Sequence, residues 1–66
     1  MQLSEKAAAF MAKNPTKLGT IGNRVYYEHP EYGDEVPMFF IENGRLYKSA
    51  YWDMESASDA SYNNFF

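Results

Sequence analysis

The sequence predicts an α+β fold in which one N-terminal helix packs on an antiparallel meander of three or four strands, followed by a tail or short helix. Three observations indicate it. A short amphipathic segment ends at Asn14-Pro15, three segments rich in aromatic and β-branched residues follow, and Asn43-Gly44 separates the last two. Because 66 residues supply one small core, we expect residues 1–66 to form a single domain.

The helix is predicted over residues 5–13. Ser4 is a favourable N-cap residue, and Glu5 lies at the end of the helix dipole that favours negative charge. Asn14-Pro15 ends the helix, because asparagine tolerates the left-handed conformation and proline cannot continue the hydrogen-bond pattern. The apolar face of this helix comprises Leu3, Ala7, Phe10 and Met11.

The sheet is predicted within residues 17–52. Asn43-Gly44 is a strong signal for a two-residue hairpin turn, whereas Gly22-Asn23 is compatible with either a turn or a bulge in one long strand. Residues 30–35 have the composition of a loop. The two-residue turn predicts that Glu42 pairs with Arg45, Ile41 with Leu46, Phe40 with Tyr47, Phe39 with Lys48 and Met38 with Ser49.

Residues 53–66 form the predicted tail. Its Ser/Ala-rich part is compatible with a linker or with a weak helix capped by Ser56. The tail ends in three aromatic residues, Tyr62, Phe65 and Phe66, and such composition is unusual for a disordered segment. We therefore expect these rings to dock on the uncovered face of the sheet or on another chain.

Charge is distributed unevenly along the sequence. The net charge is −3. Residues 1–27 carry +3 and residues 28–66 carry −6, because eight of the nine acidic residues lie in the second part. An acidic field repels phosphate, so we expect no direct nucleic-acid binding and instead a protein partner with a basic surface.

Several functional classes are excluded by the residues that are missing. The chain has no cysteine, which excludes disulfide frameworks, thiolate metal sites and cysteine nucleophiles. His29 is the only histidine and completes no catalytic triad, so we expect a protein that is not an enzyme and has no metal site and no cofactor. No apolar segment approaches the ~18 residues of a membrane span, and we expect a cytoplasmic protein with no membrane partner.

Aromatic and acidic residues are the candidates for partner binding. Twelve of the residues are aromatic, which fits either a small core built from large rings or a surface that presents some rings to a partner. The acidic segment after His29 lacks the spacing of a calcium loop, and it reads either as a solvated loop or as an anionic binding patch. The candidate partner-binding residues are Glu28, Glu31, Tyr32, Asp34, Glu35, Tyr51, Trp52, Asp53, Glu55 and Asp59.

In size, acidity and the combination of one helix with a small antiparallel sheet, the chain resembles the small phage-encoded inhibitors of the anti-CRISPR type. The resemblance implies a non-enzymatic inhibitor that binds a bacterial nucleic-acid-handling complex and blocks DNA binding. Acidic residues would lie at the rim of its interface, with aromatic anchors within it. The alternative is a small assembly protein that self-associates through its C-terminal rings, and either reading is compatible with a monomer or weak homodimer.

Overall fold

The computed structural model describes residues 2–59 and 64–65, which form two helices and five strands. The strands build one antiparallel sheet in chain order, so that each strand lies beside the next. The predicted α+β fold is confirmed, and the sheet has one two-residue strand more than expected. The elements are α1 (Glu5–Ala12), β1 (Lys17–Ile21), β2 (Arg24–Tyr27), β3 (Phe39–Glu42), β4 (Arg45–Lys48), α2 (Met54–Asp59) and β5 (Asn64–Phe65).

Helix α1 begins and ends where its capping residues predict. Ser4 Oγ accepts a hydrogen bond from the Ala7 amide at 3.2 Å, which satisfies one of the free N–H groups of the first turn. At the other end Asn14 adopts a φ of 56°, a left-handed conformation that directs the chain away from the helix axis. The Ser4 amide also donates to Gly44 O at 2.7 Å, which ties the helix start to the sheet.

The β3–β4 hairpin has the predicted register. Asn43 and Gly44 both have positive φ, 53° and 79°, as a two-residue turn of type I′ requires. Four of the five pairs expected from this turn are present within the strands. The pairing continues past the strands, because the Ser49 amide donates to Met38 O at 3.0 Å.

The ambiguity at Gly22-Asn23 is resolved in favour of a turn. Ile21 pairs with Arg24, and Gly22 has a φ of 58°, a conformation that glycine adopts at little cost. A bulge also occurs, but at the far end of β1, where the register shifts between Lys17 and Gly19. Leu18 is therefore the unpaired residue of this edge strand.

The sheet is buried on both faces. On one face α1 packs over a cluster that contains Phe10, Phe39 and Leu46, with the first two rings 5.4 Å apart. On the other face Ala57 of α2 packs over a cluster that contains Tyr26 and Phe40. The expected docking of Tyr62, Phe65 and Phe66 lies outside the described side chains, and the face that was expected to receive those rings is covered by α2.

Helix α2 is capped by a different residue from the one predicted. Ser56 lies inside the helix, and its amide donates to Asp53 Oδ2 at 2.9 Å. The prediction of Ser56 as the cap is wrong because Asp53, three residues earlier, offers a carboxylate acceptor that suits the helix N-terminus better.

Two contacts hold α2 against the sheet. The Arg24 guanidinium donates from Nε to Glu42 Oε1 at 3.0 Å and from Nη1 to Ala57 O at 3.3 Å, so it links β2, β3 and α2. Near β1, a Cβ atom on Gly19 would lie only 2.9 Å from the Met54 sulfur. The absence of a side chain at Gly19 therefore allows α2 to approach the edge strand closely.

Candidate partner-binding surface

The loop after β2 is ordered by a histidine side chain. His29 Nδ1 accepts hydrogen bonds from the Glu31 amide at 3.0 Å and the Tyr32 amide at 3.1 Å. The Gly33 amide donates to His29 O at 3.0 Å, and Gly33 closes the turn with a φ of 56°. The imidazole thus accepts the backbone hydrogen bonds that an asparagine or aspartate side chain commonly accepts in a turn.

Tyr32 is presented at the tip of this loop. Its side chain is 58% exposed, and its ring lies 4.9 Å from the His29 ring. The His29 ring in turn lies 5.4 Å from Phe39 in the core beneath α1. The Tyr32 ring therefore packs against the His29 ring, which restricts its motion. A restricted ring loses less conformational entropy when a partner binds.

Trp52 brings a second exposed ring to the same loop. Its side chain is 57% exposed, and Nε1 donates to Asp34 O at 2.9 Å. Beside this bond the indole borders a shallow depression that Leu18, Glu28 and Val36 also line. We refer to the surface formed by Glu28, Glu31, Tyr32, Asp34, Glu35 and Trp52 as the acidic–aromatic patch.

One acidic residue of the patch is paired. Lys13 Nζ lies 2.9 Å from Glu31 Oε1, and this hydrogen bond and the positive charge hold the pKa of the Glu31 carboxyl below its ordinary value. The pair joins the loop to the C-cap of α1. Both groups are solvent-exposed, so the pair orients the loop more than it stabilises the fold.

The chain matches no protein-family model, no curated protein and no solved structure. Within residues 2–59 and 64–65, no three His, Asp or Glu side chains are grouped so that they could hold a metal ion. Neither helix in that part of the chain is long and apolar enough to cross a membrane.

The remaining candidate residues lie outside the patch. Tyr51 is half-buried against the cluster beneath α2, and its carbonyl accepts a bond from the Met38 amide at 3.1 Å. The ring contributes to the core on one side, and its expected place on a binding surface stays a prediction. Asp53 caps α2, and the bond from Ser56 lowers the pKa of its carboxyl. Glu55 is exposed on α2, and the side chain of Asp59 lies outside the described part.

Two residues of this surface were missed by sequence reasoning. Leu18 is 39% exposed at the depression, because the bulge breaks the alternation of its strand. His29 is absent from the candidate partner-binding residues, yet its side chain orders the loop. The sequence signal available for His29 is its position directly before Pro30, where an extended residue commonly starts a turn.

Proposed function

We propose that this protein is a non-enzymatic inhibitor that acts in the cytoplasm. Through the acidic–aromatic patch it would bind a CRISPR-type or other nucleic-acid-handling complex and block DNA binding. The observation that carries the proposal is the placement of two rings, Tyr32 and Trp52, each more than half exposed and each held in position among acidic side chains. Neighbouring large aromatic rings are not usually left exposed to solvent on a protein surface. Aromatic anchors dominate many protein interfaces.

The geometry of the two rings suits an interface. Trp52 is fixed by its bond to Asp34 O, and the Tyr32 ring packs at a tilt against the His29 ring. A ring that is already in position costs less entropy to bury than a mobile one, so more of the buried area contributes to affinity. Supported rings of this kind favour a binding module over a merely solvated loop.

The carboxylates determine the kind of partner. Glu28, Glu31, Asp34 and Glu35 lie within eight residues, in and on both sides of the turn that presents Tyr32. Arginine and lysine side chains that bind phosphate also accept carboxylates, so a groove that binds DNA would accept this patch. With a net charge of only −3, the charges would mainly speed and orient association, while the rings would supply affinity.

Capture of partners from bacterial lysates that contain such complexes tests the proposal. The tagged wild type is compared, at low and moderate salt, with Asp34→Asn/Glu35→Gln in the patch and with Gln2→Lys/Thr20→Lys at exposed positions outside it, which changes the net charge equally. We expect the wild type and the second variant to retain a DNA-binding complex that the first variant loses. Recovery of the protein alone from lysates shown to contain these complexes, or equal capture by both variants, contradicts the proposal.

The aromatic anchors are tested separately with the captured complex. Tyr32→Ala and Trp52→Ala should each weaken binding by about 30-fold, as is usual for a buried hot-spot ring. Leu3→Ala is the matched control, because Leu3 is 43% exposed near the opposite end of α1. The complex should also lose DNA binding when the wild type is added. Undiminished DNA binding by a saturated complex would rule out inhibition by blockade.

A further inference from the structure

A groove lies on the other side of the loop, between α1 and the sheet. Its volume is about 280 Å³, and its floor consists of Ala9, Phe10, Phe39 and Leu46. An apolar space of roughly 150 Å³ already accepts benzene, whereas drug-sized ligands occupy about 300–1,000 Å³. The groove therefore fits one aromatic ring with a short chain attached.

The rim of the groove is made of hydrogen-bond donors. Lys6 lines it from α1 and Lys13 from the C-cap of that helix, and the two lie seven positions apart, roughly 10 Å along the axis. His29 lines it from the loop, and because its Nδ1 accepts two amide bonds, the neutral ring carries its proton on Nε2, which is a donor. Two cations and an N–H group around an apolar floor complement an anion on an apolar body.

One of the lysines at this rim already binds a carboxylate. Glu31 Oε1 lies 2.9 Å from Lys13 Nζ, so the ammonium group is placed to bind a carboxyl oxygen. The same pair makes Glu31 a competitor for any anionic ligand. An exposed pair of this kind is weak enough for a ligand carboxylate to replace Glu31.

We propose that the groove is a binding site for a small carboxylate that carries one aromatic ring. The ring lies on the floor beside Phe10 and Phe39, and the carboxylate binds Lys13 in place of Glu31. The proposal does not depend on the function proposed above, since the two exposed rings of the patch do not line the groove, although Glu31 belongs to the patch and also pairs with a lysine of the groove.

A titration of the full chain with 4-phenylbutyrate, followed in the amide NMR spectrum, tests the site. We expect saturable shifts in α1 and at Glu31, with a dissociation constant on the order of a millimolar because the ligand is small. Two control ligands separate the contributions of the carboxylate and the ring. The first, 4-phenyl-1-butanol, lacks the charge, and the second, acetate, lacks the ring. Each should bind at least about fivefold more weakly.

Variants of exposed residues locate the ligand. Lys13→Gln should weaken binding and Glu31→Gln should strengthen it, each by about two- to fivefold, the range expected for one exposed ion pair. Lys17→Gln removes an exposed lysine outside the groove and should change nothing. Ala9→Phe fills the groove and should abolish the saturable shifts, while its dispersed spectrum shows that the fold is retained.

Three results would overturn the proposal. The first is the absence of saturable shifts up to about 10 mM ligand, where a millimolar site would be mostly filled. The second is equal binding of the alcohol and the carboxylate, because the cationic rim would then have no part in recognition. The third is unchanged affinity in Glu31→Gln or unchanged shifts in Ala9→Phe, which would place the ligand elsewhere.

Discussion

His29 shows how one side chain can order a binding loop without touching a partner. Its Nδ1 atom accepts hydrogen bonds from the amides of Glu31 and Tyr32, which would otherwise need backbone acceptors. Its ring packs against the Tyr32 phenol. Without this side chain, both amides would depend on water. The residue that sets the shape of the patch is therefore not one of the residues proposed to contact the partner.

We expect His29→Ala to loosen the loop and His29→Asn to preserve it, because asparagine Oδ1 occupies the same bonded position as Nδ1 and also accepts amide bonds. Two neutral hydrogen bonds of about 1 kcal/mol each predict roughly 10- to 30-fold faster amide exchange at Glu31 and Tyr32 in His29→Ala. Hydrogen exchange measured by NMR checks this. Equal exchange in both variants would show that the imidazole is not the element that orders the turn.

At the level of single elements, α2 depends on an ionised cap. The bond from Ser56 holds the pKa of Asp53 below its ordinary value. A lowered pKa in the folded state stabilises the fold above the unfolded value, near pH 4, and this contribution is lost as the pH falls through the folded pKa. The capping contribution of α2 should therefore weaken in acid.

Asp53→Asn separates charge from hydrogen bonding, since asparagine is also a good cap. At pH 7 the variant should unfold at lower urea concentration than the wild type, and Asp53→Ala at lower still. At pH 3 the difference between the wild type and Asp53→Asn should shrink, because the carboxyl of the unfolded chain is then protonated and part of the stabilisation by the charge is lost. Urea midpoints at both pH values measure the effect, and a difference that is independent of pH contradicts this account.

The β3–β4 turn makes a second prediction at this scale. Gly44 has a φ of 79°, so Gly44→Ala forces a side chain into the left-handed region and should cost about 1–2 kcal/mol of unfolding free energy. Asn43→Gly is the matched control, because glycine accepts the φ of 53° at that position. Chemical denaturation of both variants provides the comparison, and equal losses would exclude backbone strain as the cause.

The same elements show what could be predicted from the sequence. Asn43-Gly44 determined a register because few dipeptides adopt two successive positive φ values. Gly22-Asn23 left two possibilities open, since glycine serves both turns and bulges. Ser56 and Asp53 are both of residue types that cap helices, and both lie near the start of α2. Their spacing alone does not show which of them is the N-cap. The hydrogen bond from Trp52 to Asp34 O connects residues 18 positions apart, and no local sequence pattern predicts such a contact.

On the scale of the whole molecule, the fold depends on covering both faces of one sheet. Tyr26 and Phe40 are almost fully buried, and Ala57 of α2, which is 0% exposed, lies in the same cluster. A chain this short has little stability in reserve. Loss of the α2 layer should therefore unfold the sheet as well as the helix.

Ala57→Asp tests this dependence, because it places a carboxylate in the cluster beneath α2. We expect a loss of more than about 3 kcal/mol, enough to unfold much of the protein at 25 °C. Glu55→Ala, at an exposed position of the same helix, should retain a cooperative transition. Far-ultraviolet circular dichroism during thermal unfolding distinguishes the two, and a native-like transition in Ala57→Asp would show that α2 is dispensable.

The bond between Trp52 and Asp34 O also gives the protein a built-in optical reporter. Trp52 is the only tryptophan of the chain, and it lies half exposed on the surface proposed to meet a partner. Indole emission moves to shorter wavelength when water is removed from the ring. Binding at the patch would therefore change the intrinsic fluorescence of the unlabelled wild type, whereas a ligand confined to the groove beside α1 would leave the emission unchanged.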